Sequence, residues 1–111
     1  MGFLSKWFGT AEVPTISPAE AKKRMATAIV LDVREPDEYA DGHLPKARLL
    51  PLGTINEASA AQAIPTKDSD VLVYCRSGAR SRRAVQRLIG LGYTRAVNIG
   101  GIMDWPYETE R

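Results

Sequence analysis

The chain has 111 residues, 44% hydrophobic and 25% charged, a length and balance that fit one soluble globular domain and exclude two domains, a disordered chain, a coiled coil or a membrane span. A domain of this size buries only roughly 60 to 68% of its unfolded surface, so an active site here is a shallow surface feature and not a large cofactor cavity. Fifteen basic against thirteen acidic residues leave a net charge of +2, too near balance to name a polyanionic partner.

The opening residues 1–10 hold one Lys and no apolar run long enough for a secretory signal, so a cytoplasmic setting is expected. Met1-Gly2 is followed by Lys6 where a myristoylation motif needs Ser or Thr. Phe3, Leu4, Trp7 and Phe8 fall at helical spacing in a segment too short for a membrane anchor. Residues 1–13 are thus read as a short extension and 14–111 as the domain.

Ser17-Pro18-Ala19-Glu20 gives a helix start, with Ser17 as cap, Pro18 in the first turn and Glu20 closing a capping box; the helix runs to about Met25. Residues 29–33 form a short, β-branched apolar run, the mark of a strand covered on both faces, with Asp32 near its carboxyl end. Pro36 opens a short helix that Gly42 ends, and residues 49–52 are read as a second short strand. Residues 56–64 are Ala-rich and read as helical, and 65–70 as a turn cluster.

Residues 71–74 repeat the buried-strand pattern and run directly into Cys75-Arg76-Ser77-Gly78-Ala79-Arg80-Ser81. A helix follows, with Ala84, Val85, Leu88, Ile89 and Leu91 on its apolar face and Gly92 as its stop. Residues 96–99 read as another strand, Gly100-Gly101 as a turn and 102–105 as a last helical turn. Strands alternating with helices define an α/β domain with a parallel sheet.

In open α/β sheets ligands bind beyond the carboxyl ends of the strands, and Cys75 stands at such an end. Backbone amides of residues 76–80, the dipole of the following helix and the arginines of the loop all favour an anion, so the thiol's pKa should fall. Residues 71–103 contain no Asp or Glu, while Arg76, Arg80, Arg82, Arg83, Arg87 and Arg95 lie there. Cys75 is the only cysteine and His43 the only histidine, which excludes an internal disulfide and a Cys-based zinc site; neither metal nor cofactor is expected. The plain alternative for Cys75 is a small buried hydrophobe at a strand end.

The loop resembles that of single-domain rhodaneses, a cysteine, four residues and an arginine, followed by Ser and a helix. Two further stretches carry the same likeness: Leu31-Asp32-Val33-Arg34-Glu35-Pro36-Asp37-Glu38-Tyr39 with Gly42-His43-Leu44-Pro45 upstream, and Gly100-Gly101-Ile102 with Trp105-Pro106 downstream. The likeness covers about residues 15–107, and its one departure is Lys46-Ala47-Arg48-Leu49-Leu50, where the family usually has Gly-Ala leading to Asn-Ile-Pro. The resemblance implies a five-stranded parallel sheet flanked by helices on both faces, and sulfur transfer through a persulfide on Cys75. Arg76 and Arg80 are then expected to bind the donor anion, with Ser77, Gly78, Ala79 and Ser81 completing the cradle. Thiosulfate is the donor the family suggests, with cyanide or a thiol as acceptor. With no second cysteine to resolve the persulfide, an external acceptor or a sulfur-relay protein must discharge it, from either a monomer or a homodimer.

Asp32 is expected to orient the loop, by hydrogen bonds to it or by pairing with Arg80; Arg34 and Glu35 have similar standing. His43 is read as part of a structural turn and Trp105 as core or cover. A cysteine-dependent phosphatase or arsenate reductase is the catalytic rival, but the phosphatase loop has five residues between Cys and Arg where this one has four. A binding module is the non-catalytic rival, and such modules usually lack the cysteine. Nucleic acid is disfavoured because no aromatic residue is interleaved among Arg80, Arg83 and Arg87.

Overall fold

The two apolar runs expected to lie covered on both faces become the two central strands. In the computed structural model, which describes residues 12–111, these are Ile29–Asp32 (β1) and Val71–Cys75 (β3), flanked by Arg48–Leu49 (β2) and Ala96–Gly101 (β4). The order is β2-β1-β3-β4 and every pairing is parallel. Between β3 and β4 the register runs from Val71↔Ala96 to Val73↔Asn98 and then shifts, so that Cys75 faces Gly101.

The sheet therefore has four strands where the resemblance implied five. The place of a fifth is taken by residues 14–16, which touch β4 through a single bridge, Thr15 to Asn98. The Asn98 amide donates to Pro14 O (2.8 Å) and the Ile16 amide to Asn98 O (3.1 Å). Pro14 has no amide to extend the ladder, and Ser17 already caps the next helix, so the pairing stops after one residue.

Among the described residues four α-helices cover the sheet: Pro18–Arg24 (α1), Pro36–Asp41 (α2), Glu57–Ala63 (α3) and Ala79–Gly90 (α4). Strand alternation sends Leu31, Val33, Val71 and Val73 to one face, where they pack on Ala60 of α3 and on Ala84, Val85 and Leu88 of α4. Val30, Leu72 and Tyr74 point the other way, against Ala21 of α1 and, at the edge, Tyr39 of α2. Fully burying a side chain such as Leu31, Leu72 or Leu88 contributes about 1.5–3 kcal/mol each.

Capping follows the local chemistry with one change. Ser17 Oγ accepts the Glu20 amide at 3.1 Å as expected, but the Glu20 carboxylate pairs with Arg24 one turn on (3.1 Å), so only half the expected box forms. At α3 the box is complete, between Asn56 and Ser59. Helix α4 ends as Gly92 predicts: Gly92 adopts φ +104°, and the Tyr93 and Gly92 amides donate to Leu88 O and Ile89 O (3.0 and 2.9 Å). Strand β2 ends earlier than residues 49–52 because the register is lost there: the Leu50 and Leu52 amides, two residues apart, reach Asp32 O and Val33 O (2.8 and 3.0 Å), one residue apart. The extension expected over residues 1–13, with Phe3, Leu4, Trp7 and Phe8, lies outside the described residues up to residue 11. No described helix is long and apolar enough to cross a membrane.

Candidate active site

Strand β3 is buried along its whole length and delivers Cys75 at its carboxyl end, only 1% exposed. The chain then turns through Arg76, Ser77 and Gly78 into α4. Gly78 makes the turn with φ +107°, a conformation that L side chains rarely adopt, and this aims its amide back at the sulfur: Gly78 N–H donates to Cys75 Sγ at 3.0 Å.

Burial pushes the Cys75 thiol pKa up, but hydrogen bonds from the Ser81 hydroxyl and from the amides of Ser81, Gly78 and Ser77 outweigh it, and the net shift is downward. Ser81 itself is buried on the first turn of α4, its hydroxyl within reach of Asn98 Oδ1 (2.7 Å) and Gly78 O (3.1 Å). It has one proton, so donating to a thiolate means releasing one of these acceptors. Since only the thiolate is nucleophilic, alkylation of Cys75 by iodoacetamide is expected to rise with pH to a plateau whose midpoint lies below that of the same thiol in the unfolded chain. Ser81→Ala should move that midpoint up; an unchanged midpoint would mean that the amides alone hold the thiolate.

The loop rests on the end of β4. A Cβ at Gly101 would collide with the Arg76 carbonyl and Ser77 Cα, and the Met103 amide donates to that same carbonyl at 3.2 Å. The Gly100-Gly101 pair, read from sequence as a turn, is thus a close approach of two backbones. Gly101→Ala is expected to displace the loop, slowing both Cys75 alkylation and turnover by roughly 100-fold with little change in far-ultraviolet circular dichroism.

The expected loop residues do come together. Cys75, Gly78 and Ser81 are buried, Arg76, Ser77 and Ala79 are exposed at the mouth, and Arg80 is half-buried. Asp32 does not meet Arg80. It is fully buried and taken by Arg34, whose Nε and Nη2 lie 2.9 and 2.6 Å from its two oxygens, and by the Tyr74 hydroxyl at 2.8 Å. Residues 32 and 34 are two apart on an extended chain and share a face, so the nearest guanidinium wins. Asp32 thus touches the loop's neighbour Tyr74 and not the loop; burial raises the Tyr74 phenol pKa and keeps the hydroxyl a donor. Arg34 also donates to Gly42 O at 2.7 Å, tying α2 to β1.

Arg80 instead meets Glu38, a residue that sequence reading placed only in the first turn of α2. The two pair through a fork, Nη1 to Oε1 at 2.8 Å and Nη2 to Oε2 at 3.0 Å. This bond lowers the Glu38 pKa to about 2 and raises that of Arg80, to which the charge at Cys75 adds a smaller increment. Nothing in the sequence announces a partner 42 positions away. His43 stacks on Tyr39 (ring centroids 3.8 Å apart), with Nδ1 2.9 Å from Tyr39 O, a structural role as expected. Trp105 packs at the edge of the core and donates to Glu108 O at 3.2 Å.

A parallel α/β sheet that delivers a lone thiol into a glycine-turned ring of hydrogen-bond donors defines a class of cysteine-centred anion sites. The model of the rhodanese-like domain matches residues 17–107, and the chain belongs to that family. Its relatives include a sulfurtransferase of Allochromatium vinosum, 45% identical over 69% of this chain and 70% of that one. The thiosulfate sulfurtransferase PspE of Escherichia coli is 39% identical over 67% of this chain and 70% of its own. Among solved structures, a rhodanese with anions from E. coli superposes with a TM-score of 0.70 at 33% identity, covering 76% of this chain and 98% of that one.

Proposed function

We propose that the chain is a sulfurtransferase that carries sulfane sulfur as a persulfide on Cys75. The observation that carries this reading is the Gly78 amide, aimed by its left-handed glycine at the buried Cys75 sulfur at 3.0 Å at the end of β3; the lowered pKa of that thiol supports it. The ring of donors serves first the thiolate and then the terminal sulfur of a persulfide. With thiosulfate, the thiolate attacks the outer sulfur, the S–S bond to the sulfonate breaks, and sulfite leaves with the bonding pair. Cyanide or a thiolate then attacks the outer persulfide sulfur and releases the Cys75 thiolate. Both leaving groups depart as stable anions, so the scheme needs no protein general acid.

Arg76, exposed at the mouth, meets the sulfonate, with Arg80 alongside in its pair with Glu38; the amides of Ser77, Gly78, Ala79 and Ser81 line the cradle. The chain has no second cysteine, so the acceptor is external, a small thiol or a relay protein in a reducing compartment such as the cytoplasm. The names of the A. vinosum and E. coli relatives support both the activity and thiosulfate as an assay donor. The test is the intact mass of the reduced protein before and after thiosulfate. One added sulfur atom, discharged by cyanide as thiocyanate, is expected; an accessible thiol that gains nothing from thiosulfate or from an organic persulfide would favour the binding-module reading.

A further inference from the structure

Arg76 follows Cys75 directly in the loop and the Arg80 guanidinium lies close enough to feel the charge at Cys75, yet the two cations are not equally available. Arg80 is held in a two-bond fork by Glu38, and Glu38 is itself fixed, because Oε1 also accepts the Glu35 amide at 2.9 Å in the cap of α2. Arg34, the other guanidinium near the strand ends, is consumed by Asp32 and Gly42 O. Among the described residues no carboxylate stands against Arg76. The loop therefore presents one uncompensated side-chain cation beside its amides, although its sequence contains two.

We propose that Glu38 is a specificity residue: by neutralising Arg80 it tunes the site toward sulfur donors with one negative charge, such as thiosulfonates and persulfide anions, and against dianions such as thiosulfate. This rests on the sulfurtransferase reading of Cys75. Charge is the discriminating quantity because Glu38 acts on a dianion twice as strongly as on a monoanion in the same position. Its carboxyl, with a pKa lowered to about 2, stays ionised at neutral pH, so there only substitution removes the charge. Methanethiosulfonate is a fitting probe, since it replaces one sulfonate oxygen of thiosulfate by methyl and carries one charge. Its S–S bond breaks in the same way, leaving the persulfide and methanesulfinate.

Glu38→Gln keeps the Oε1 acceptor for the Glu35 amide and removes the charge. With cyanide as acceptor, kcat/KM is expected to rise about threefold for methanethiosulfonate and about tenfold for thiosulfate, the effect of one unit charge counted once and twice. Added salt should shrink both gains. In Glu38→Gln/Arg80→Gln, where the net charge of the pair is again zero, the ratio of the two donors should return to within about twofold of wild type. Arg80→Gln alone leaves Glu38 unopposed and should lower the ratio, which keeps the proposal testable if Glu38→Gln fails to fold by circular dichroism. A donor ratio unmoved by either single variant, or raised equally in the double variant, overturns it. If neither donor adds sulfur to the wild-type protein by mass, the sulfurtransferase reading falls, and this proposal with it.

Discussion

Cys75→Ala is expected to lower thiocyanate formation by on the order of 10³-fold or more and to abolish the mass gain with thiosulfate. The donors closest to this sulfur act through it: the Gly78 amide points at it, and the Ser81 hydroxyl and amide favour its charged form. The fold should survive, because the side chain is small and the loss is about 1 kcal/mol, the scale of a single buried methyl-sized deletion. Cys75→Ser should be equally inactive with an even smaller cost, since a hydroxyl can still accept the Gly78 amide. Retained turnover in either variant would move the chemistry off Cys75 and end the persulfide scheme. A variant that is inactive because it has unfolded would be recognised at once by its circular dichroism.

The second large effect is on stability. Asp32→Ala leaves the Arg34 side chain, 6% exposed, without its carboxylate and strips the acceptor from the Tyr74 hydroxyl. Breaking a buried pair by removing one partner costs about 3–5 kcal/mol, a large part of the 5–15 kcal/mol that holds a typical domain together. At ~4–8 °C per kcal/mol for this size, the midpoint of thermal unfolding should fall by about 12 °C or more. Asp32→Asn keeps one oxygen for Tyr74 or Arg34 and should lose less. Because Asp32 reaches Cys75 only by way of Tyr74, folded Asp32→Asn protein is expected to load sulfur within about fivefold of wild type. Loss of loading with an unchanged melting midpoint would instead restore the orienting role that the sequence suggests.

Much of the fold was legible because its signals are local. Two β-branched apolar runs become β1 and β3, Ser17 becomes a cap and Gly92 the left-handed helix stop, each decided by a handful of adjacent residues, while Asn56, read as the first helical residue, caps α3 instead. The loop from Cys75 to Ser81 was legible for the same reason: strand, glycine turn and helix start follow one another without interruption. The fifth strand was an inheritance from the family likeness, and residues 14–16, hemmed in by Pro14 and the Ser17 cap, could not form it. Partners across the fold were less readable. That Asp32 chooses Arg34 follows from their shared face on an extended chain and could have been deduced from strand alternation alone. That Arg80 chooses Glu38 could not, because α2 and α4 cover opposite faces of the sheet and only their first turns meet, beyond the carboxyl ends of the strands, which no local pattern encodes. The meaning of Gly100-Gly101 lies between these cases: two glycines ending a strand signal either a turn or a backbone contact, and only the position of the loop decides.

The parallel sheet also fixes when the reactive thiol can come into being. Its central pairing joins Ile29 to Val71 and Asp32 to Tyr74 across 42 positions, so a long stretch of chain must close before that pairing is made, which slows folding. The loop then waits on β4, since its carbonyl at Arg76 is held by the Met103 amide and its backbone lies against Gly101. During synthesis, Gly101 and Met103 must leave the ribosome before that platform can form. Until β4 is in place Cys75 is an ordinary thiol, and its lowered pKa arrives as one of the last products of folding.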